Sequence, residues 1–191
     1  DIYEHISWGD EPFCSIATAC PELADQIVVV NGVSKVYAMT GWRIGYAAGP
    51  LPIAAAMRKM QSQSTSNPPS ISQYAAEAAL LGDQTCVTEM VKVFKERHDY
   101  VVGRLNSLPG FRCLEAQGAF YAFPDIQEAI DSTPGVENDS QFCEWLLEEA
   151  GVAVVPGSAF GAEGCLRLSY ASSMEVLEDA LNRMQRALGN R

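Results

Sequence analysis

The chain has 191 residues, of which 48% are hydrophobic and 19% are charged, and its formal net charge is −11. This composition argues against a disordered chain. The acidic balance argues against nucleic acid and an anionic membrane as partners, because both need a surplus of Lys and Arg. No apolar run approaches the ~20 residues that span a bilayer. We therefore expect a globular chain with one core or two smaller lobes.

The six cysteines indicate reduced, buried thiols. They stand far apart, at positions 14, 20, 86, 113, 143 and 165, without a CxxC pair. Metal ligation needs clustered ligands, so we expect no metal site. Reduced thiols are typical of a cytoplasmic protein, and that location is our expectation.

The first half of the sequence predicts two strands followed by two helices. The β-branched run at 26–32 has the pattern of a fully buried strand, and 42–50 alternates like a second strand. A helix is predicted over 51–64, with Pro52 tolerated in its first turn. After a Pro-Pro break, a second helix is expected from about Ser70 to Gly82.

The second half predicts a long helix over about 86–108 that bridges two lobes. Short strands are expected around Gly118 and across 152–161 and 165–171. A helix over 139–151 is expected to have Asp139 as its N-cap and Gly151 as its stop. A C-terminal amphipathic helix follows at 173–189. The fold class is therefore α/β, in two parts that meet near residues 86–110.

Two cations in the stretch VVVNGVSKVYAMTGWRIGY are candidates for chemistry. Lys35 follows the first strand and a glycine-containing turn, where α/β proteins commonly place ligand sites. Read alone, Lys35 is also compatible with a solvated loop lysine, and Arg43 with a surface salt bridge. An amine can form an imine with an aldehyde, and a guanidinium can grip a phosphate through parallel hydrogen bonds. Together they suit a cofactor such as pyridoxal 5′-phosphate (PLP).

The segment NGVSKVYAMTGWRIGYAAGP resembles the PLP-lysine segment of class I aminotransferases, most closely the bacterial aspartate aminotransferase type. Its motif S-K-x-x-x-M-T-G-W-R-x-G is long and specific. The stretches DIYEHI, SNPPSISQYAAEAAL, GAFYAFPDI and CLRLSYASSMEVLEDAL are similar to further parts of this family. The resemblance covers essentially the whole chain. It implies PLP fold type I, with 1–95 as the C-terminal part of the large cofactor domain and 96–191 as the small C-terminal domain.

The resemblance implies a role for five residues. Lys35 matches the lysine that forms the Schiff base with PLP, and Arg43 matches a ligand of the cofactor phosphate. Ser34 matches a position where many members place a phosphate-binding hydroxyl. Tyr3 matches the tyrosine that hydrogen-bonds the cofactor's ring hydroxyl, on the strand before the lysine. Arg167 matches the arginine that binds the substrate α-carboxylate.

The chain also departs from the family pattern. Gly32 stands where some members have a second phosphate-binding serine. The aspartate that pairs with the pyridine nitrogen lies three residues before the tyrosine, and counting back from Tyr3 passes the first residue. Asp1 matches the acidic residue after it and is not given that role. We therefore expect a C-terminal portion of a longer enzyme, inactive by itself.

The resemblance implies transamination between an amino acid, aspartate or glutamate, and a 2-oxo acid, in an enzyme that forms a homodimer. Other fold type I enzymes stay open as alternatives, such as C–S lyases or aminocyclopropane-carboxylate synthases. They share Lys35, Arg43 and Arg167 but direct the chemistry elsewhere. A second alternative is an aminotransferase-like sensing domain of a transcription regulator. The lack of a basic stretch argues mildly against it.

Overall fold

The computed structural model describes residues 1–189 and divides the chain into two compact units. The first is Asp1–Val91 and the second begins at Lys92, so the boundary falls inside one long helix. Identifying these units with the large and small domains of a fold type I enzyme remains a prediction. Within the described residues, no helix is long and apolar enough to cross a bilayer.

The first unit contains a two-stranded antiparallel sheet and several helices. They are α1 (Ile16–Ala19), a 3₁₀ helix (Pro21–Gln26), β1 (Val29–Gly32), a second 3₁₀ helix (Thr40–Trp42), β2 (Gly45–Ala48), α2 (Leu51–Ser64) and α3 (Ser70–Leu81). β1 and β2 pair with Gly32 opposite Gly45, so residues 33–44 connect the two strands at one end of the sheet.

The helices α2 and α3 follow the proline and glycine signals of the sequence. Pro52 occupies the first turn of α2, where its missing N–H is not needed. Pro69 immediately precedes α3, and Gly82 ends it by donating its N–H to the Ala78 carbonyl. Both helices therefore begin and end where local backbone chemistry predicts.

Two sequence-based expectations for the first unit are wrong. β1 is not fully buried: Val30 is 62% exposed, because the two-stranded sheet leaves that face uncovered by the described residues. Residues 2–5 form a turn and not a strand. Short backbone bonds close this turn, from the Glu4 N–H to the Asp1 carbonyl and from the Ile6 N–H to the Tyr3 carbonyl.

The second unit is built around a three-stranded antiparallel sheet. Its order is β3–β5–β4, so β5 lies between the other two strands. The remaining elements of the chain are α4 (Thr85–Leu105), which begins in the first unit, β3 (Tyr121–Ala122), α5 (Gln127–Asp131), α6 (Asp139–Ala150), β4 (Val155–Pro156), a 3₁₀ helix (Gly157–Phe160), β5 (Leu166–Ser169) and α7 (Met174–Gly189).

The predicted N-cap of α6 is shifted by one residue. Asn138 is the N-cap, and its side-chain oxygen accepts from the Gln141 N–H at 3.0 Å. Asp139 is the first helical residue and is buried. Its carboxylate bonds the Ser158 N–H, far along the chain, and this long-range contact explains the difference. Gly151 ends the helix as predicted, in the left-handed conformation at φ 61°.

Candidate active site

Lys35 lies in a connection that is anchored on both sides. Val33, at 0% exposure, and Ile44 pack with Ala76 of α3 in one buried cluster. Val36, immediately after Lys35, is also buried. The lysine itself is half-buried. Its backbone is thus held in place by apolar neighbours on both sides.

Tyr37 gives the connection a polar anchor. Its hydroxyl donates to Gln84 Oε1 at 2.8 Å. Burial, followed by the nearby Cys86, raises the pKa of Tyr37 above its ordinary value, against the opposing effect of the Gln84 bond. The phenol therefore keeps its proton at neutral pH, and its hydrogen bond to Gln84 holds the 33–44 connection against the segment before α4.

Arg43 is exposed and lies at the far end of the same connection, in a left-handed conformation with φ 55°. Its Nη1 donates to the Thr40 carbonyl at 2.8 Å, which folds the side chain over its own turn. That bond uses only part of the planar donor set of a guanidinium, so N–H groups remain for an anion.

Tyr3 and Ser34 lie near the start of this connection. The turn that contains Tyr3 is fastened to β1 by a bond from Asn31 Nδ2 to Glu4 Oε1. Ser34 directly precedes Lys35 and is half-buried, as is Tyr3. The first unit therefore gathers Lys35, Ser34 and Arg43 in one connection and fastens the Tyr3 turn beside the strand that leads into it.

The chemistry of this donor set fits PLP. Lys35 offers an amine for an aldehyde, and Arg43 and Ser34 offer N–H and O–H donors for a phosphate. Tyr3 offers a phenol for the ring hydroxyl. Gly32 has a separate reason to be glycine: a Cβ there would come within 3.0 Å of the Ile44 carbonyl oxygen. A serine at position 32 would require β1 and β2 to move apart.

Arg167 lies in the second unit, in the central strand β5. The strand alternates, with Leu166 and Leu168 buried and Arg167 half-buried on the opposite face. The Arg167 Cζ lies 4.6 Å from the ring centroid of Tyr121 and 4.5 Å from that of Phe160. The guanidinium is thus held among aromatic rings, and its in-plane N–H groups suit a carboxylate.

The sequence reasoning did not identify Tyr121 or Phe160. Tyr121 lies 46 positions before Arg167, and only the pairing of β3 with β5 brings them together. Phe160 follows the turn residues Pro156 and Gly157, which predict a bend but not the direction of the ring. Neither residue carries a local sequence signal of its contact with Arg167.

Other chemistry-bearing clusters are sparse in residues 1–189. No group of three or more His, Cys, Asp or Glu side chains in that range is arranged to hold a metal ion. The cysteines, all within the described part of the chain, are free thiols. Burial raises the pKa of Cys113, Cys143 and Cys165, which makes these thiols poor nucleophiles at neutral pH.

Comparison with known proteins identifies the family of this chain. The family model described as "Aminotransferase class I and II" matches residues 1–184. An aspartate/prephenate aminotransferase of Nitrosomonas europaea is 53% identical over 189 residues, covering 96% of this chain and 48% of the relative. An aspartate aminotransferase of Geobacillus stearothermophilus is 50% identical over 186 residues, covering 97% and 47%. The chain thus spans about half the length of these curated relatives.

Solved structures give the same result. The aspartate aminotransferase of Rhizobium meliloti superposes with a TM-score of 0.94 at 46% identity, covering 99% of this chain and 48% of that one. An aromatic aminotransferase of Pyrococcus horikoshii gives 0.90 at 41% identity, covering 100% and 50%. These matches confirm the resemblance and the fold type I α/β class. The chain belongs to the class I and II aminotransferases.

Proposed function

We propose that the full-length protein containing this chain catalyses PLP-dependent amino-group transfer between an amino acid and a 2-oxo acid. The observation that carries this proposal is the anchored 33–44 connection, which holds Lys35 and Arg43 in a chain that belongs to this family. Lys35 supplies the amine and Arg43 the anion-binding guanidinium that such a cofactor requires.

Each residue has a definite task in this proposal. PLP, the cofactor of this family, supplies an aldehyde for the amino group and a ring that takes up the electron pair left at the substrate Cα. Lys35 would hold the cofactor through its amine until the amino group of the substrate displaces it, and the released neutral Nζ would then accept the proton from the substrate Cα. Arg43 and Ser34 bind the phosphate, and Tyr3 orients the ring. Arg167 binds the substrate α-carboxylate through both oxygens.

We propose aspartate or glutamate as the amino donor. Two of the relatives at 50% identity or more are named aspartate or aspartate/prephenate aminotransferases, which supports this substrate class. We further propose a homodimer in the cytoplasm, following the family resemblance. Free thiols support a reducing compartment. Sedimentation analysis of the full-length protein tests the dimer.

The central test addresses Lys35. We expect Lys35→Ala in the full-length protein to remove the visible absorbance of lysine-bound PLP and nearly all glutamate formation from aspartate and 2-oxoglutarate. Borohydride reduction of the wild-type protein followed by peptide mapping should place the pyridoxyl group on Lys35. Lys59→Ala is the matched control, because Lys59 is an exposed lysine on α2; we expect it to retain activity.

Three results would contradict this assignment. A pyridoxyl label on Lys59, Lys92 or Lys95 would show that another amine holds the cofactor. Undiminished turnover in Lys35→Ala would remove the proposed role of Lys35 in proton transfer. Formation of pyruvate or a cyclic product without a 2-oxo acid acceptor would assign the protein to another fold type I reaction.

A further inference from the structure

We propose that Tyr121 and Phe160 position the guanidinium of Arg167 for bidentate binding of the substrate α-carboxylate. This inference rests on the proposed function, in which Arg167 is the carboxylate ligand. The two aromatic residues are positioning residues, since they act through Arg167.

The geometry of the sheet supplies one ring from each side of β5. Tyr121 lies in β3, where it pairs with Ser169, two residues along β5 and on the same face as Arg167. Phe160 ends the 3₁₀ helix that follows β4, the strand on the other side of β5. Their ring centroids lie at 4.6 and 4.5 Å from the Arg167 Cζ. Both distances are well within the range of a cation–π contact.

Such contacts restrict the side chain without consuming its hydrogen bonds. A ring attracts the face of a guanidinium, whereas the N–H donors lie in the guanidinium plane. Arginine otherwise samples many rotamers, and ordering it when the ligand arrives would weaken binding. The two ring contacts therefore restrict the Arg167 side chain before substrate binds, and they leave its N–H groups for a carboxylate.

The Phe160 ring is itself mounted on a rigid turn. The buried Asp139 carboxylate accepts from the Ser158 N–H through Oδ2, and from the Ser140 N–H at 3.0 Å through Oδ1. Gly157 packs so tightly that a Cβ there would lie 2.7 Å from Cys165 Cβ. Phe160 nevertheless remains 49% exposed. The ring also packs edge-on against Phe123, with centroids 6.0 Å apart, so Phe160 is supported beside the Arg167 guanidinium.

The experiment separates positioning from general structural support. In the full-length enzyme, Phe160→Leu removes the ring and Phe160→Tyr retains it as the matched control. Each variant is assayed in the steady state, with 2-oxoglutarate as acceptor, against aspartate and against 3-aminopropanoate, which lacks the α-carboxylate. The dissociation constant of succinate is measured by calorimetry as a readout independent of turnover.

We expect Phe160→Leu to lower kcat/KM for aspartate about threefold to tenfold, mainly through KM, and to weaken succinate binding by a similar factor. The loss with 3-aminopropanoate should be smaller. Phe160→Tyr should restore the wild-type ratio between the two substrates. Tyr121→Leu and its control Tyr121→Phe should repeat this pattern.

Arg167→Lys distinguishes failure of the inference from failure of the proposed function. A loss for aspartate in Arg167→Lys, with no difference between Phe160→Leu and Phe160→Tyr, would overturn the positioning role alone. Equal losses for both substrates in Arg167→Lys would make Arg167 structural, and would overturn both its role as carboxylate ligand and the positioning role of the two rings, while the Lys35 test decides the proposed transamination separately. A Phe160→Leu variant that loses kcat equally for both substrates would also overturn positioning, even if it folds less stably.

Discussion

Two residues in the connection around Lys35 adopt backbone conformations that residues other than glycine rarely take. Ala38 has φ 53° and Arg43 has φ 55°, and they are two of the four such non-glycine residues in the described chain. Each left-handed residue costs about 1–2 kcal/mol. The buried cluster of Val33, Ile44 and Ala76 stabilises this strained connection. Concentrated strain of this kind is typical of functional sites.

Cys143 provides a prediction about pH at the scale of one residue. Burial, and then the nearby carboxylates of Asp139 and Glu144, raise its pKa to about 11 from 9.0. As pH rises through this window, the unfolded chain releases the thiol proton first while the folded chain retains it. The thiol therefore contributes stability below pH 9 that is lost toward pH 11.

The loss should be on the order of 2–3 kcal/mol in the free energy of unfolding. Urea unfolding of the full-length protein and of Cys143→Ala at pH 8 and pH 11 measures it. We expect the difference in the free energy of unfolding between the wild type and Cys143→Ala to decrease as pH rises. An advantage of the same size at both values would contradict the assigned shift.

At the scale of elements, His98 ties α4 to the segment that leads into β3. The ring is 2% exposed. Its Nε2 accepts from the Ala116 N–H at 2.9 Å, so the proton resides on Nδ1, which donates to Asp99 Oδ1 at 2.9 Å. A bond from Lys95, followed by this one from His98, lowers the pKa of the exposed Asp99.

We expect His98→Phe to lower the free energy of unfolding by about 1–3 kcal/mol, because it removes the acceptor of the partly buried Ala116 N–H. Asp99→Asn is the comparison on the same helix, and it should cost less than about 0.5 kcal/mol because surface pairs contribute little. Chemical denaturation of the full-length protein measures both. Similar costs for the two variants would mean that the Ala116 bond contributes little.

At the scale of the whole molecule, the acidic charge balance makes a local cation such as Arg43 important for binding an anion. The chain carries 24 acidic residues against 13 basic ones. A phosphate that approaches this net negative chain therefore needs a local cationic site. In our proposal Arg43 of the 33–44 connection supplies that positive charge, and a ligand that binds only the folded protein would stabilise it.

We expect PLP to raise the melting temperature of the full-length protein, and Arg43→Ala to remove much of this increase. Loss of a charged hydrogen bond costs about 1.5–3 kcal/mol and weakens the dissociation constant for PLP about 10- to 100-fold. At saturating PLP the stabilisation should fall by the same free energy. Arg58→Ala, an exposed arginine on α2, is the matched control. Equal PLP-induced shifts in all three proteins would rule out Arg43 as a phosphate ligand.

The sequence by itself determined the features that depend on local chemistry. Proline and glycine positions predicted the bounds of α2 and α3, since the effect of a proline at a helix start or a glycine at a helix end is confined to one turn. The lysine motif identified the family, because its residues are contiguous in the sequence and can be matched without knowledge of the fold.

Only the tertiary structure decided the features that join distant residues. The strands are as short as two residues, because their extent depends on partners far along the chain. The N-cap of α6 is Asn138 and not the predicted Asp139, because the Asp139 carboxylate accepts from the Ser158 N–H, 19 positions later. Tyr121, Phe160 and Arg167 meet only when β3, β4 and β5 form one sheet. Local propensity cannot specify such contacts, because they arise from the packing of segments that are separate in sequence.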